Sequence, residues 1–106
     1  MTFKIISRED FYQHSLTTSN HSFLQSIEMA DLLHKRGATI HYIGWEEQGT
    51  LAISAILYSL PMTGGLHYEI NSGPIVTDTR YLPDFYKAVQ DYVKENGGIE
   101  FILKPY

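Results

Sequence analysis

The sequence predicts an α+β domain in which helices pack on a mostly antiparallel sheet. Three observations carry that prediction. Segments of strand and helix character alternate in the order strand, two helices, three strands, helix, strand. The three middle strands are separated only by short Gly-containing turns, which makes them antiparallel neighbours. A composition of 43% hydrophobic and 19% charged residues, without repeats or low-complexity tracts, is that of one globular domain. At 106 residues, roughly two-thirds of the unfolded surface can be buried, enough for a core without metals or cross-links.

The elements follow from local signals. TFKII reads as a short strand. SREDFYQHSL reads as a short helix, with Ser7 placed to cap its N-terminus and acidic residues in the first turn, where they complement the helix dipole. In SFLQSIEMADLLHKRG, Ser22 and Gln25 stand at capping-box spacing, Phe23, Ile27, Ala30 and Leu33 share one face, and Gly37 stops the helix. TIHYIGW and TLAISAILYSL form a hairpin around EEQG, and the second of these strands is apolar on both faces. PMTGG then turns the chain into LHYEINSGPIV, antiparallel to its predecessor.

Within that last run Ser72, Gly73 and Pro74 interrupt the apolar pattern. Proline cannot donate to a β ladder and glycine weakens one, so a bulge, a splayed edge or a close backbone approach is expected there. Pro83 then opens a helix with Phe85, Ala88, Val89 and Tyr92 on one face, ended by Asn96, Gly97 and Gly98. IEFIL is the final strand, a nearly continuous apolar run of the interior kind. The chain stops at KPY directly after it, which suggests a protein that continues and a chain that is a fragment.

Composition narrows the chemistry. With no cysteine, thiolate catalysis, Cys-based zinc sites and disulfides are excluded, as suits a reducing cytosol. No apolar run approaches the ~20 residues of a membrane span, and the N-terminus is too short and too charged for a signal peptide. A formal net charge of -4 opposes a main contact with nucleic acid or anionic lipid. The histidines lack metal-ligand spacing, and Glu46 and Glu47 read as a solvated turn rather than an acid/base pair. The tyrosines suit sheet faces better than base stacking, and NHS at Asn20 matches a glycosylation acceptor without a secretory context.

The order of elements resembles the GNAT fold of acyl-CoA N-acyltransferases. In that fold coenzyme A is held by a Gly-rich loop before the helix that follows the three-strand meander, where backbone N–H groups converge. Here the segment is GPIVTDTRYLPDF, which lacks the glycine spacing, and Pro83 removes one N–H donor. No cofactor is therefore expected.

A narrower resemblance rests on FLQS opening the long helix, GP late in the meander and the closing KPY, in that order. Together they are similar to the start of the FemABX family, the MurM and MurN type aminoacyltransferases. Met29 stands where many relatives have Trp. The resemblance implies a protein of two GNAT-like halves, of which residues 1–106 are the N-terminal part of the first subdomain. It implies transfer of an amino acid from aminoacyl-tRNA to the stem-peptide amine of a peptidoglycan precursor, with tRNA held mainly outside this chain and the protein in the cytoplasm, at or near the inner face of the membrane.

On that basis the expected substrate-binding residues are Lys35, Arg36, Gly73, Pro74, Lys104 and Tyr106, with no catalytic residue assigned. Lys35 and Arg36, with His34, are also the positive charges a helix C-terminus favours. Gly73 and Pro74 would end the pairing of two strands that splay around a cleft. Lys104 and Tyr106 leave the final strand at the end where ligands sit in open sheets. A small GNAT-like acyltransferase and a non-catalytic binding module are the alternative readings.

Overall fold

In the computed structural model, which describes residues 2–17 and 25–104, the strands are β1 (Thr2–Ile5), β2 (Thr39–Glu47), β3 (Thr50–Met62), β4 (Gly65–Asn71), β5 (Ile75–Val76) and β6 (Gly98–Lys104). Their order in the sheet is β1-β2-β3-β4-β6, with β5 also on β3. The helices are α1 (Arg8–Ser15), α2 (Ile27–Lys35) and α3 (Leu82–Glu95), the last preceded by a 3-10 turn at Thr79–Tyr81. Every pairing is antiparallel except β4 with β6, which are parallel and joined through α3. The mostly antiparallel α+β architecture matches the prediction.

The two-sided apolar pattern of β3 has a direct cause: each face of the sheet carries its own core. Ile53, Ala55 and Leu57 point to the side where Phe85, Val89 and Val93 of α3 pack with Ile43, Tyr68 and Ile70. Ile56 points to the other side, against Phe11 of α1 and Ala30 of α2, with Ile6 and Ile75. The period-two alternation of a strand thereby serves both layers.

The helix ends follow their capping chemistry, with one correction. Ser7 Oγ accepts from the Asp10 N–H at 2.9 Å, as expected. The α2 N-cap is Ser26, whose Oγ accepts from the Met29 N–H at 3.2 Å. Gln25 is therefore not the third residue of a capping box but a fully buried side chain of another role; Ser22 and Phe23 lie outside the described residues. At the other end Gly37 takes φ 97°. The Ala38 N–H returns to Leu33 O and the Gly37 N–H to His34 O, closing a Schellman motif that a residue with a Cβ would strain.

The final strand differs from its apolar reading. Among the described residues β6 is an edge, paired with β4 alone, and Ile99 and Ile102 are 57% and 36% exposed. Its apolar residues are those of an interior strand whose outer side is uncovered here.

Candidate functional site at the end of the parallel strand pair

The interruption at Ser72, Gly73 and Pro74 is a true break. From the pair Tyr58–Glu69 to the pair Ser54–Ile75, β3 moves four residues while its partner moves six, so two residues are looped out. The Gly73–Pro74 peptide is cis, and Ser72 has φ 59°. The β3 backbone left without a strand partner is satisfied by a side chain: Gln25 Oε1 accepts from the Ile56 N–H at 2.8 Å, and Gln25 Nε2 donates to Asn71 O at 2.9 Å and more loosely to Ile56 O at 3.4 Å. A buried primary amide thus substitutes for a peptide group of the missing ladder.

The parallel pair ends at the same place. Asn71 is the last β4 residue in register with β6, opposite Lys104, and the Ser72 N–H still donates to Lys104 O at 2.6 Å. Beyond it the chain returns to β3 as β5. Among the described residues no strand pairs with the outer side of β5, so the sheet narrows at the carboxyl ends of β4 and β6. Openings of this kind, where parallel strands part, are where open sheets take ligands.

A polar cluster stands beside this point, on the face that carries α1 and α2. Those helices pack on β2 and β3, whereas the cluster belongs to β3, β4 and β6. His67 bridges two carboxylates, with Nε2 3.2 Å from Glu69 Oε1 and Nδ1 2.7 Å from Glu100 Oε1. Lys104 Nζ lies 3.5 Å from Glu69 Oε2, and Tyr58, its register partner on β3, stands beside the Glu69 carboxylate. The strand register explains the assembly, since Glu69 pairs with Tyr58 on one side and Ile102 on the other, while His67 pairs with Glu100.

Burial and partners set the charges. Burial raises the Glu69 pKa, but Tyr58, His67 and Lys104 outweigh it and hold the carboxyl below its usual value. Burial lowers that of His67, yet its hydrogen bonds to Glu69 and Glu100 and their charges bring it above 6.5. Burial and the neighbouring Glu69 both push the Tyr58 hydroxyl up. The cluster is an ionised carboxylate held by cationic and neutral donors. No group of three His, Asp or Glu among the described residues is arranged to hold a metal ion.

A second feature lies at the hairpin end of the same face: a cavity of about 630 Å³ lined by Lys4, Asp10, His14, Glu46, Leu51 and Thr77, among others. His14 forms its inner wall, with Nδ1 2.5 Å from Ser54 Oγ and Nε2 3.3 Å from Thr77 Oγ1. Thr77 Oγ1 donates to Ala52 O at 3.1 Å, so it accepts from a protonated Nε2, and Nδ1 accepts from Ser54. Burial keeps this imidazole neutral by lowering its pKa. Ser54 is fully buried and therefore a structural partner, not a nucleophile.

The predicted site residues are dispersed. Lys35 ends α2 and Arg36 caps it, both exposed. They lead into Thr39, opposite Ser59, whereas the break faces β3 between Ser54 and Tyr58. The structure does not join them to Lys104. Gly73 is buried beneath Gln25, and Pro74 is half-buried beside it. Lys104 lies at the end of the parallel pair, on Glu69. Tyr106 lies outside the described residues. Sequence reasoning missed Gln25, Tyr58, His67, Glu69 and Glu100. The signal available was HYE, which places His67 and Glu69 on one face of a strand, but their partners come from other strands.

The sequence model of the FemAB family matches residues 6–106. The chain belongs to the FemAB family. The resemblance carried by FLQS, GP and KPY thus holds. This FemAB chain is similar to the crystal structure of FemX, with TM-score 0.76 and 17% identity over 92% of its own length and 25% of that chain. It therefore spans a quarter of the FemX chain. The ribosomal-protein-alanine N-acetyltransferase of Brucella melitensis biovar Abortus 2308 matches with TM-score 0.70 and 16% identity, covering 100% of the FemAB chain and 81% of the enzyme. The glucosamine-6-phosphate N-acetyltransferase of Arabidopsis thaliana matches with TM-score 0.54 and 18% identity, covering 100% and 84%. No curated protein sequence matches. These likenesses establish the GNAT-like acyltransferase fold. Among the described residues no helix is long and apolar enough to cross a membrane.

Proposed function

We propose that this chain is the N-terminal part of the first GNAT-like subdomain of a longer aminoacyltransferase, which moves an amino acid from aminoacyl-tRNA to the stem-peptide amine of a peptidoglycan precursor. The observation that carries the reading is the FemAB family match over residues 6–106. The chemistry is aminolysis of an activated ester. It requires a neutral amine aligned on the ester carbonyl and stabilisation of the developing oxyanion, so positioning supplies much of the rate without a protein nucleophile. The absence of cysteine and the burial of Ser54 fit such a mechanism. The chain shapes the precursor side of the cleft, with Pro74 and Lys104 near it. Its net charge of -4 leaves tRNA and the inner membrane face to other regions.

A second reading, a self-sufficient acyl-CoA-dependent N-acyltransferase, is favoured by the 81% coverage of the Brucella enzyme. Against it, α3 begins with Tyr81 as N-cap without a side-chain cap bond and carries Pro83 in its first turn, where a pyrophosphate would need N–H donors. The test is an assay of the longer protein with aminoacyl-tRNA and a muramyl-peptide precursor, lipid-linked or nucleotide-linked. Transfer to the stem-peptide amine is expected, and no saturable binding of coenzyme A. Saturable coenzyme A binding with no transfer from tRNA would replace the first reading by the second.

A further inference from the structure

Asn96 caps helix α3 and is followed by Gly97, the residue type whose amide nitrogen no side chain shields. Both residues are exposed. Other parts of the fold hold this joint. Asn96 Nδ2 donates to Tyr92 O at 2.8 Å, the Tyr68 hydroxyl donates to Asn96 O at 2.9 Å, and the Leu66 N–H donates to Gly97 O at 3.0 Å. The Gly97 N–H, by contrast, has no acceptor among the described residues. A free nitrogen therefore stands next in the chain to a carboxamide, the pair that can close a succinimide ring. At the Asn96 ψ of 34° that nitrogen lies on the side of the Cα–C bond away from Cβ, so closure needs a rotation about this bond. The rotation swings Asn96 O, which the Tyr68 hydroxyl holds in place.

We infer that Asn96 is a site of spontaneous deamidation, and that the hydrogen bond from Tyr68 sets its rate by holding the joint shut. The Gly97 nitrogen gives up its proton and bonds to Asn96 Cγ, the Cγ–Nδ2 bond breaks, and ammonia leaves with that proton. One water then opens the ring. Addition at Cγ gives aspartate, and addition at the backbone carbonyl gives isoaspartate, whose main chain runs through Cβ and Cγ. Either product puts a carboxylate beside Glu95 at the C-terminus of α3, where the helix dipole disfavours it, and has no amide to donate to Tyr92 O. Isoaspartate also lengthens the joint from which Gly97 O reaches Leu66, the first β4 residue in register with β6. The modification thus loosens the parallel pair at the end opposite the strand break. Nothing in this chemistry depends on acyl transfer.

The test is incubation of the folded chain in mildly alkaline buffer, followed by peptide mass spectrometry with fragmentation that separates aspartate from isoaspartate. Acid should accumulate slowly at Asn96, with isoaspartate as the main product. Tyr68→Phe removes only the hydroxyl and should speed the reaction about fivefold, the gain in open population when one hydrogen bond of ordinary strength is lost. The parent denatured in urea should react faster than either, since every tether is gone. Asn96→Gln, which would have to close a larger ring, should stop it. A folded parent that keeps its amide at Asn96 while the denatured chain reacts, or equal rates for parent and Tyr68→Phe, overturns the assignment. Where Tyr68→Phe does not fold, the parent in urea below its unfolding transition decides. A rate that climbs before the transition upholds local opening of the joint, and a rate that follows global unfolding alone overturns it. No tRNA or precursor enters the experiment, so its failure is separate from failure of the transfer assay.

Discussion

The side chain of Gln25 fills the space that a Cβ on residue 73 would need: such an atom would stand 2.7 Å from Gln25 Cδ and 2.9 Å from Oε1. Gly73 is thus the condition for Gln25 to reach Ile56 and Asn71. The interrupted strand and the buried amide are one device.

Gln25→Ala leaves the Ile56 N–H and Asn71 C=O without partners and should cost about 2–4 kcal/mol. Gly73→Ala should cost about 1–3 kcal/mol through overpacking. Because both act on one contact, the double variant should cost clearly less than the two singles together. Urea midpoints of the four proteins measure this, and strict additivity would refute the shared origin.

His14 should make the fold acid-sensitive. Burial lowers its pKa below 6.5 in the folded state. Its contribution is therefore present above 6.5 and lost as pH falls through the folded value. His41, hydrogen-bonded to Tyr92 at 2.9 Å, is lowered by burial too and adds to the same trend. Stability followed from about pH 8 to about pH 5 should fall more steeply in the parent than in His14→Gln. Equal slopes would mean that His14 is not the buried titrating group.

His67 should behave oppositely. Its pKa is raised above 6.5, so its contribution is complete below 6.5 and fades as pH rises through the folded value. Glu69, lowered below 4.5, contributes above that value and loses its contribution in acid. The link between β4 and β6 is thus strongest between 4.5 and 6.5. His67→Ala should destabilise most in that window and least in mild alkali. A destabilisation that grows with pH would show the ion pairs to be absent.

Ser26→Ala should cost about 1 kcal/mol by removing the α2 cap. In a domain of this size that is a Tm loss of roughly 4–8 °C. A loss within the error of the melt would place the helix start elsewhere.

What the sequence disclosed and withheld follows the range of the forces. The Ser7 cap, the Gly37 stop, Pro83 in the first turn of α3 and the apolar faces of β3 depend on neighbours within a few residues, so pattern alone revealed them. The break at Ser72 to Pro74 was legible as a break. Its repair was not, because Gln25 reaches Ile56 across the fold and carries no local mark. The same holds for Glu69: its partners on β3 and β6 are set by strand register. Ser26 was overlooked because Ser22 and Gln25 offer a competing motif one turn earlier.

The uncovered side of β6 has a practical meaning. Among the described residues, a strand reading GIEFILK presents a row of peptide groups without a strand partner and two exposed isoleucines, with Glu100 and Lys104 as its charged guards. Prepared at high concentration, this polypeptide should tend toward intermolecular sheet growth. Neutralising either guard should hasten precipitation.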